Sequence, residues 1–462
     1  MSARPLHSAR TAGGFACLLT VSSCAPTSTP LDPNLGGRQT VADTSRLAFS
    51  YPMPGLTRAQ RETFAVGNNF FADNWVMAPS STTGRDGLGP TFNARSCGAC
   101  HDQDGRGRPP LRSDEQFLSM LVRLSVPGSA ENGAPLPDPH YGGQLQPFGI
   151  TGVPGEGTPS LIWEETTATY PDGATAMLIA PELTISDLSH GPLDPSILTS
   201  LRVAPAMTGL GLLEAITEST LRALEDPNDI DGDGISGRIH WVMGAGGEMR
   251  IGRFGWKAAE PSVRDQSAGA FLGDMGITTS LNPANNCPEG QSACQESYFD
   301  GMPDASDAIL DAIVFYGQTL AVPQMRNSRE PDVMRGSELF DQVGCSNCHV
   351  RRIETGDSEI VALNHQSIQP FTDMLLHDMG EGLADNRPDH DASGTEWRTA
   401  PLWGIGLVEV VNRHTRFLHD GRARNLEEAV LWHGGEAENA KRSFTQLNAA
   451  DRARLLRFVS SL

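Results

Sequence analysis

Apolar positions recur every three to four residues in four stretches of this chain, and each stretch predicts an amphipathic helix. Residues 59–75 carry Phe64, Gly67, Phe70 and Phe71, and residues 332–343 carry Met334, Leu339, Phe340 and Val343. Residues 307–320 form an apolar helical run that stops before Pro323, and residues 447–462 form another that starts at Asn448, a good N-cap residue. Elsewhere the pattern switches to alternation. Residues 161–169 and 174–185 read as two strands around the turn Tyr170-Pro171-Asp172-Gly173, and residues 238–243 and 249–254 as a second hairpin. The expectation is a mainly α protein with β-hairpin and loop insertions.

The amino terminus follows a separate logic. Arg4 and Arg10 precede a short apolar run at residues 15–21, and small residues then lead to Cys24. This is the pattern of an export signal, too short to remain as a membrane-spanning helix. Val21-Ser22-Ser23-Cys24 resembles a bacterial lipobox, in which Cys24 is lipidated; the alternative is an ordinary cleaved signal with an incidental cysteine. Ala25 in place of Asp points to the outer membrane. The expectation is a signal peptide at 1–23, a tether at 24–55, and a periplasmic lipoprotein held to the membrane only by its lipid.

A formal net charge of −21 makes nucleic acid a poor partner. An acidic surface attracts basic proteins, although it also simply keeps an exported protein soluble. Gly (49) and Pro (32) are abundant while aromatics are 6%, so the chain is loop-rich and its core calls for a buried cofactor.

Four cysteines lie in two pairs, Cys97-Gly98-Ala99-Cys100 and Cys345-Ser346-Asn347-Cys348, and His101 and His349 follow directly. C-x-x-C-H is the attachment signature of c-type haem: two thiols bond the vinyl groups and the adjacent imidazole meets the iron. Zinc or a thiol–disulfide pair would need only the cysteines. With histidine at 12 of 462 residues, its chance occurrence after both pairs has odds of roughly one in 1,500. Cys287 and Cys294, without a neighbouring histidine, fit a short structural disulfide.

Each motif follows an amphipathic helix, as in a class I cytochrome c. A further internal match joins residues 202–214 to residues 398–409 (R-V-A-P-A-M-T-G-L-G-L-L-E against R-T-A-P-L-W-G-I-G-L-V-E). Two class I cytochrome c-like domains are therefore expected, an enlarged one at 56–325 and a smaller one at 326–462.

The set A-R-S-C-G-A-C-H, D-G-D-G-I-S-G-R, G-R-F-G-W-K-A, L-L-H-D-M-G, W-R-T-A-P-L-W-G-I-G and F-L-H-D-G-R-A…L-W-H-G-G-E-A resembles the bacterial di-haem oxidoreductase family of peroxidase-like proteins. Members are sometimes described as C-x-x-C thiol oxidoreductases. The resemblance covers roughly residues 45–462 and extends distantly to di-haem cytochrome c peroxidases. It implies a peroxide-reducing haem on His101 and an electron-storing haem on His349.

Several roles follow from it. His433 falls where the peroxidases carry a distal methionine, which implies a bis-histidine second haem, with Met379 a weaker rival. Arg422, in the H-D-G-R element with His419, would pair with a propionate. Arg253 and Trp256, in G-R-F-G-W-K, would contact cofactor and bridge the haems, and Trp403 and Trp432 would wall the pockets. His377 reads as structural. For acid–base chemistry at the first haem the repeat points to Glu214, with Gln144, Tyr141 and His140 as alternatives. Asp229, Asp231 and Asp233 have calcium-loop spacing, but His240 occupies the place of the EF-hand's last glutamate. The cofactors expected are two covalently bound haem c groups and calcium. The partners expected are hydrogen peroxide and a small cytochrome c or cupredoxin donor. The competing readings are an oxidase that modifies a partner protein, an electron-transfer cytochrome without chemistry, and a haem-based sensor.

Overall fold

A capping box starts the first helix. The Thr57 hydroxyl accepts from the Gln60 backbone N–H, and the Gln60 side chain accepts in return from the Thr57 backbone N–H. The computed structural model describes residues 1–2, 30–244, 247–297 and 303–462. The apolar run of the expected export signal and Cys24 lie outside the described residues.

In chain order, α1 (Arg58–Ala72) leads to α2 (Cys97–Cys100), a single turn capped by the Ser96 hydroxyl. Four longer strands follow: β1 (Met120–Ser129), β2 (Thr158–Thr169), β3 (Thr175–Ser186) and β4 (Leu198–Val203). Then come α3 (Leu210–Glu214), α4 (Val263–Met275), α5 (Asp307–Gln318) and α6 (Pro331–Gln342). The chain closes with β5 (Leu376–Asp378), β6 (Glu396–Arg398), α7 (Leu426–Trp432) and α8 (Ala449–Val459).

Two helix crossings repeat one device. α1 packs on α5, and a methyl group at Gly67 would overlap the Ala312 carbonyl oxygen. α6 packs on α8, and a methyl group at Gly336 would overlap the Arg454 carbonyl oxygen. Glycine lets the backbones meet because it carries no Cβ. Four residues after each glycine a phenylalanine turns towards the following C-x-x-C-H segment. The Phe71 ring lies 6.1 Å from the His101 ring, and the Phe340 ring lies 6.3 Å from the His349 ring.

The expectation of a mainly α chain is corrected. Helices account for 29% of the residues and strands for 19%, spread over many small sheets. β2 and β3 form the longest ladder, in register from Thr158 opposite Ser186 to Thr169 opposite Thr175. β1 pairs antiparallel with β4, Leu121 opposite Arg202 and Arg123 opposite Ser200. Trp241–Met243 pairs with Met249–Ile251, and β5 pairs with β6. Period-two sequence between α2 and α4 thus builds far more than decoration, because extended segments must find backbone partners when they leave water.

Residues 30–55 do not behave as the expected free tether. Leu35, Phe49 and Met53 are buried, and Thr40–Val41 pairs in parallel with Val322–Pro323. A few apolar anchors in a polar stretch suffice to hold it. One apolar cluster runs from Leu35 through Phe64, Phe71 and Tyr316 to Phe340, Phe371 and Phe458. A second gathers Met120, Val122, Leu124, Trp256 and Trp397 beneath β1. Cys287 and Cys294 form the expected disulfide.

Candidate haem cavity

Both C-x-x-C-H segments line one cavity of about 740 Å³, well within the size range of cofactor sites. The two repeat segments line it too: Arg202 to Thr208 from one, Arg398 to Ile405 from the other. They meet where a Cβ on Gly209 would strike the Trp403 ring.

Three imidazoles in its wall share one arrangement. His101 Nδ1 lies 2.8 Å from the Pro205 carbonyl oxygen, His349 Nδ1 2.8 Å from that of Phe371, and His433 Nδ1 2.6 Å from that of Ala429. A carbonyl only accepts, so each Nδ1 carries the proton and donates it, leaving the Nε2 lone pair for a metal. Burial keeps all three below the ordinary histidine value, and His349 falls to about 4 through burial first and the nearby His433 among the further causes. Neutral imidazoles with a fixed tautomer are what iron ligation requires. α7 ends at His433, which brings this residue and His349 together at one end of the cavity.

Cys97, Cys100, Cys345 and Cys348 are unpaired thiols. Burial, with Asp274 adding, pushes Cys97 up to about 12 and raises Cys100 as well. Burial likewise pushes Cys345 up to about 12. Redox-active C-x-x-C pairs need the opposite, a stabilised thiolate. His377 lies beside Cys348, with Nδ1 3.8 Å from its Sγ. Its Nδ1 is 2.7 Å from Glu436 Oε2 and its Nε2 2.9 Å from Asp373 Oδ2. Burial works against its charge, but those hydrogen bonds prevail and raise it well above the usual histidine value. Both ring nitrogens of His377 are thus engaged by carboxylates, an arrangement that suits the structural reading. Met379 also lines the cavity, and its carbonyl oxygen packs against Gly434, the residue after His433.

The end that holds Cys97 and Cys100 has a polar wall. Gln144 Nε2 donates to Asp274 Oδ1 (2.9 Å) and Asn93 Oδ1 (2.8 Å), while its Oε1 accepts from Arg123 Nη1 (2.9 Å). Arg123, Asp274, Gln266 and Glu260 line the cavity, whereas Gln144 stands one layer behind and positions two of them. Burial pushes Glu260 up to about 7 against the opposing pull of Arg123. Burial also raises Asp274.

Several expected roles are corrected here. Glu214 is absent from the cavity wall: its Oε1 accepts from the Val263 N–H at the start of α4 (2.8 Å) and its Oε2 from Gln318 Nε2 (2.5 Å). A carboxylate at a helix N-terminus is a cap, and here it ties α3 to α4 and α5. Arg253 donates to the Leu213 carbonyl (3.2 Å) and Arg422 to Asp420 (2.7 Å) and the Gly382 carbonyl (2.5 Å), and neither lines the cavity. Arg422 lies over Trp432, which is also outside the wall, while Trp403 is within it. Tyr141 is committed to the Gly191 carbonyl, and His140 is exposed.

Trp256 does line the cavity and donates from Nε1 to the Val203 carbonyl (2.8 Å). Its ring meets His419 edge-on at 6.4 Å, and His419 stacks on Trp397 at 3.7 Å. Asp229, Asp231 and Asp233 bring their carboxylate oxygens within 4.8 Å of one another. That loop abuts the second C-x-x-C-H through Asn347 Nδ2, 3.4 Å from Asp233 Oδ2. His240, at the position of the missing glutamate, is buried and donates from Nδ1 to the Lys257 carbonyl.

The sequence reading missed Glu260, Arg123, Arg202 and Arg387. For one of them a signal existed: Arg202 matches Arg398 in the repeat, and both line the cavity. Buried nitrogens of Arg123, Arg202 and Arg387 lack hydrogen-bond partners. Neutral imidazoles with open Nε2 atoms, buried thiols and unpaired guanidinium donors around one apolar cavity fit a haem at each C-x-x-C-H.

No curated protein matches the chain. Among solved structures it is similar to the hydrazine synthase of Kuenenia stuttgartiensis pressurised with 20 bar xenon. That likeness has a TM-score of 0.38 at 14% identity, over 97% of this chain and 100% of that one. A family model described as "Di-haem oxidoreductase, putative peroxidase" matches residues 33–462. The chain therefore belongs to the di-haem oxidoreductase family.

Proposed function

We propose that this protein is a c-type di-haem oxidoreductase that reduces hydrogen peroxide at the His101 site, with electrons entering through the His349/His433 site. In this reading Cys97 and Cys100 hold one haem through thioethers, and Cys345 and Cys348 hold the other. When bound, the haems supply iron centres that pass single electrons. Hydrogen peroxide plus two protons and two electrons gives two waters.

One observation carries the reading: the two ends of the cavity differ. Paired imidazoles stand at the Cys345–Cys348 end, while Arg123, Asp274 and Glu260 wall the Cys97–Cys100 end. Paired imidazoles close a metal to substrate and suit electron storage. A wall with an ionisable carboxyl suits proton delivery. Glu260 takes the part first assigned to Glu214, because a carboxyl poised at about 7 holds a proton at Oε and releases it near neutrality. Arg123 offers a fixed cation beside it, and Val263, Ala270 and Phe271 keep bulk water from that wall. Trp256, with His419 and Trp397 stacked beyond it, supplies conjugated rings for electron transfer between the ends.

The same reading places calcium on Asp229, Asp231 and Asp233, next to the second C-x-x-C-H. It places the protein in the periplasm, anchored by lipid on Cys24; among the described residues no helix is long and apolar enough to cross a membrane. The net charge of −21 suits a basic donor such as a small cytochrome c or a cupredoxin.

The test is optical and EPR spectroscopy of the purified protein before and after stoichiometric hydrogen peroxide. The expected result is one low-spin bis-imidazole haem beside a haem that reacts with peroxide, with turnover when a reduced donor is supplied. Two low-spin haems indifferent to peroxide, both at rest and half-reduced, would make the protein an electron carrier.

A further inference from the structure

We propose that Arg123, Arg202 and Arg387 form an anion clamp that holds the propionate carboxylates of a haem, with Asp389 gathering the three guanidiniums. The proposal rests on the haem reading above and adds which side chains seat the cofactor's charged edge, a task the sequence had assigned to Arg422.

The three side chains converge from distant parts of the chain. Arg123 on β1 and Arg202 on β4 share one face of their ladder, since Leu121 lies opposite Arg202 and Arg123 opposite Ser200. Arg387 arrives from the loop between β5 and β6 and lies almost fully buried. All three line the cavity, as does Asp389. Arg202 Nη1 donates to Asp389 Oδ2 at 2.8 Å, and Arg387 Nη1 stands 3.6 Å from the same oxygen.

Counting donors shows what is missing. Arg123 uses Nη1 on Gln144, Arg202 uses Nε on Ser200 Oγ and Nη1 on Asp389, and Arg387 uses Nη2 on the Leu124 carbonyl. Arg123 Nε, Arg202 Nη2, and Arg387 Nε and Nη1 are buried without a hydrogen-bond partner. Lys257 contributes charge but no free donor, because Nζ already donates to Asp385 and to the carbonyls of Arg387 and Ser393. Arg202, Arg387 and Lys257 have two carboxylates within ion-pair distance, Asp385 and Asp389, while Arg123 stands near Asp274 and Glu260, whose carboxyls burial pushes towards the protonated form. Unpaired cationic donors out of water demand an anion. Forked guanidiniums match carboxylates in shape, and one haem brings two of them.

A free carboxylate or phosphate would offer the same chemistry, so the test separates the sources. Holoprotein carrying Arg202→Leu or Arg387→Leu is compared with wild type and Arg202→Lys. Haem content is read by pyridine haemochromogen, and the potential of each haem by redox titration from about pH 5 to pH 9. With full haem content, the leucine variants are expected to lower the reduced-to-oxidised ratio of one haem about tenfold at fixed ambient potential, which is about 59 mV for one electron. They should also give that potential a new dependence on pH near neutrality, as the released propionate titrates, and Arg202→Lys should restore most of the ratio. Arg123→Gln, which keeps a polar side chain on β1, provides the same readout should a leucine variant fail to fold. Unchanged potentials and pH dependence at full haem content would overturn the clamp. So would a wild-type spectrum that responds to inorganic phosphate and loses the response in the variants, since the arginines would then face a free anion. Wild-type protein without covalently bound haem would instead overturn the haem reading, and the clamp with it.

Discussion

Gly67 of α1 and the carbonyl of Ala312 in α5 pack so closely that a single methyl group on Gly67 would overlap that oxygen. The contact sets the crossing of the two helices that support Phe71, and Phe71 stands against the His101 ring. Gly67→Ala is therefore expected to cost about 1–3 kcal/mol through overpacking. Denaturant unfolding measures it, and an unchanged midpoint would mean that the helices slide apart freely. Gly336→Ala should behave alike, for the same reason at α6 and α8.

His433→Met should change the second haem and leave the first alone. Thioether in place of imidazole raises the reduction potential of a haem. Redox titration should thus show one potential rising, and EPR should lose its bis-imidazole signal. Loss of low-spin character at the first haem instead would place His433 at the wrong end of the cavity.

Glu260 should govern the pH profile of peroxide turnover. Its carboxyl is raised from 4.5 to about 7, chiefly by burial, so it is protonated below that value and ionised above it. Glu260→Gln should lower turnover by about 10²–10⁴ and remove the apparent pKa near neutrality. Glu214→Gln, which alters a helix cap outside the cavity, should lower stability while keeping that pKa. A profile that keeps its shape in Glu260→Gln would exclude Glu260 from proton transfer.

Glu156 makes stability itself depend on pH. It is buried, accepting from the Gln146 N–H (2.6 Å) and from Gln291 Nε2 (2.5 Å), and burial pushes it from 4.5 up to about 8. The folded protein therefore retains a proton that the unfolded chain has lost between those values. Stability contributed by the protonated form is full below about 4.5 and declines as pH rises to about 8. Glu156→Gln should flatten that decline in thermal unfolding followed across the range. A slope equal to wild type would show that Glu156 ionises normally.

Calcium removal tests the acidic loop. A ligand present at a hundred times its dissociation constant stabilises by about 2.7 kcal/mol, so chelation should lower Tm and Asp231→Asn should abolish the difference. Calorimetric titration of chelated protein with calcium gives the affinity directly. No heat and no shift in Tm would make Asp229, Asp231 and Asp233 an acidic turn only.

Features that depend on neighbours along the chain are readable before the chain folds. C-x-x-C-H is a local pattern, so Cys97–His101 and Cys345–His349 were legible as candidate haem segments without a structure, and both line the cavity. The turn at Tyr170 to Gly173 and the amphipathic helices were legible for the same reason, because backbone geometry imposes their periods. Glycine four residues before phenylalanine recurs in both copies, yet its meaning appears only when α5 and α8 arrive to touch it. The balance of helix and strand was misjudged because short strands find their partners far away, as β1 does in β4. Which carboxyl faces the cavity, and how the arginines gather around it, was decided by tertiary structure. Glu214 and Glu260 are the same residue type, and packing sends one to cap a helix and leaves the other desolvated at the cavity wall. Arg123, Arg202 and Arg387 come from three separate segments, and burial in a shared low-dielectric space is what turns three ordinary cations into one site.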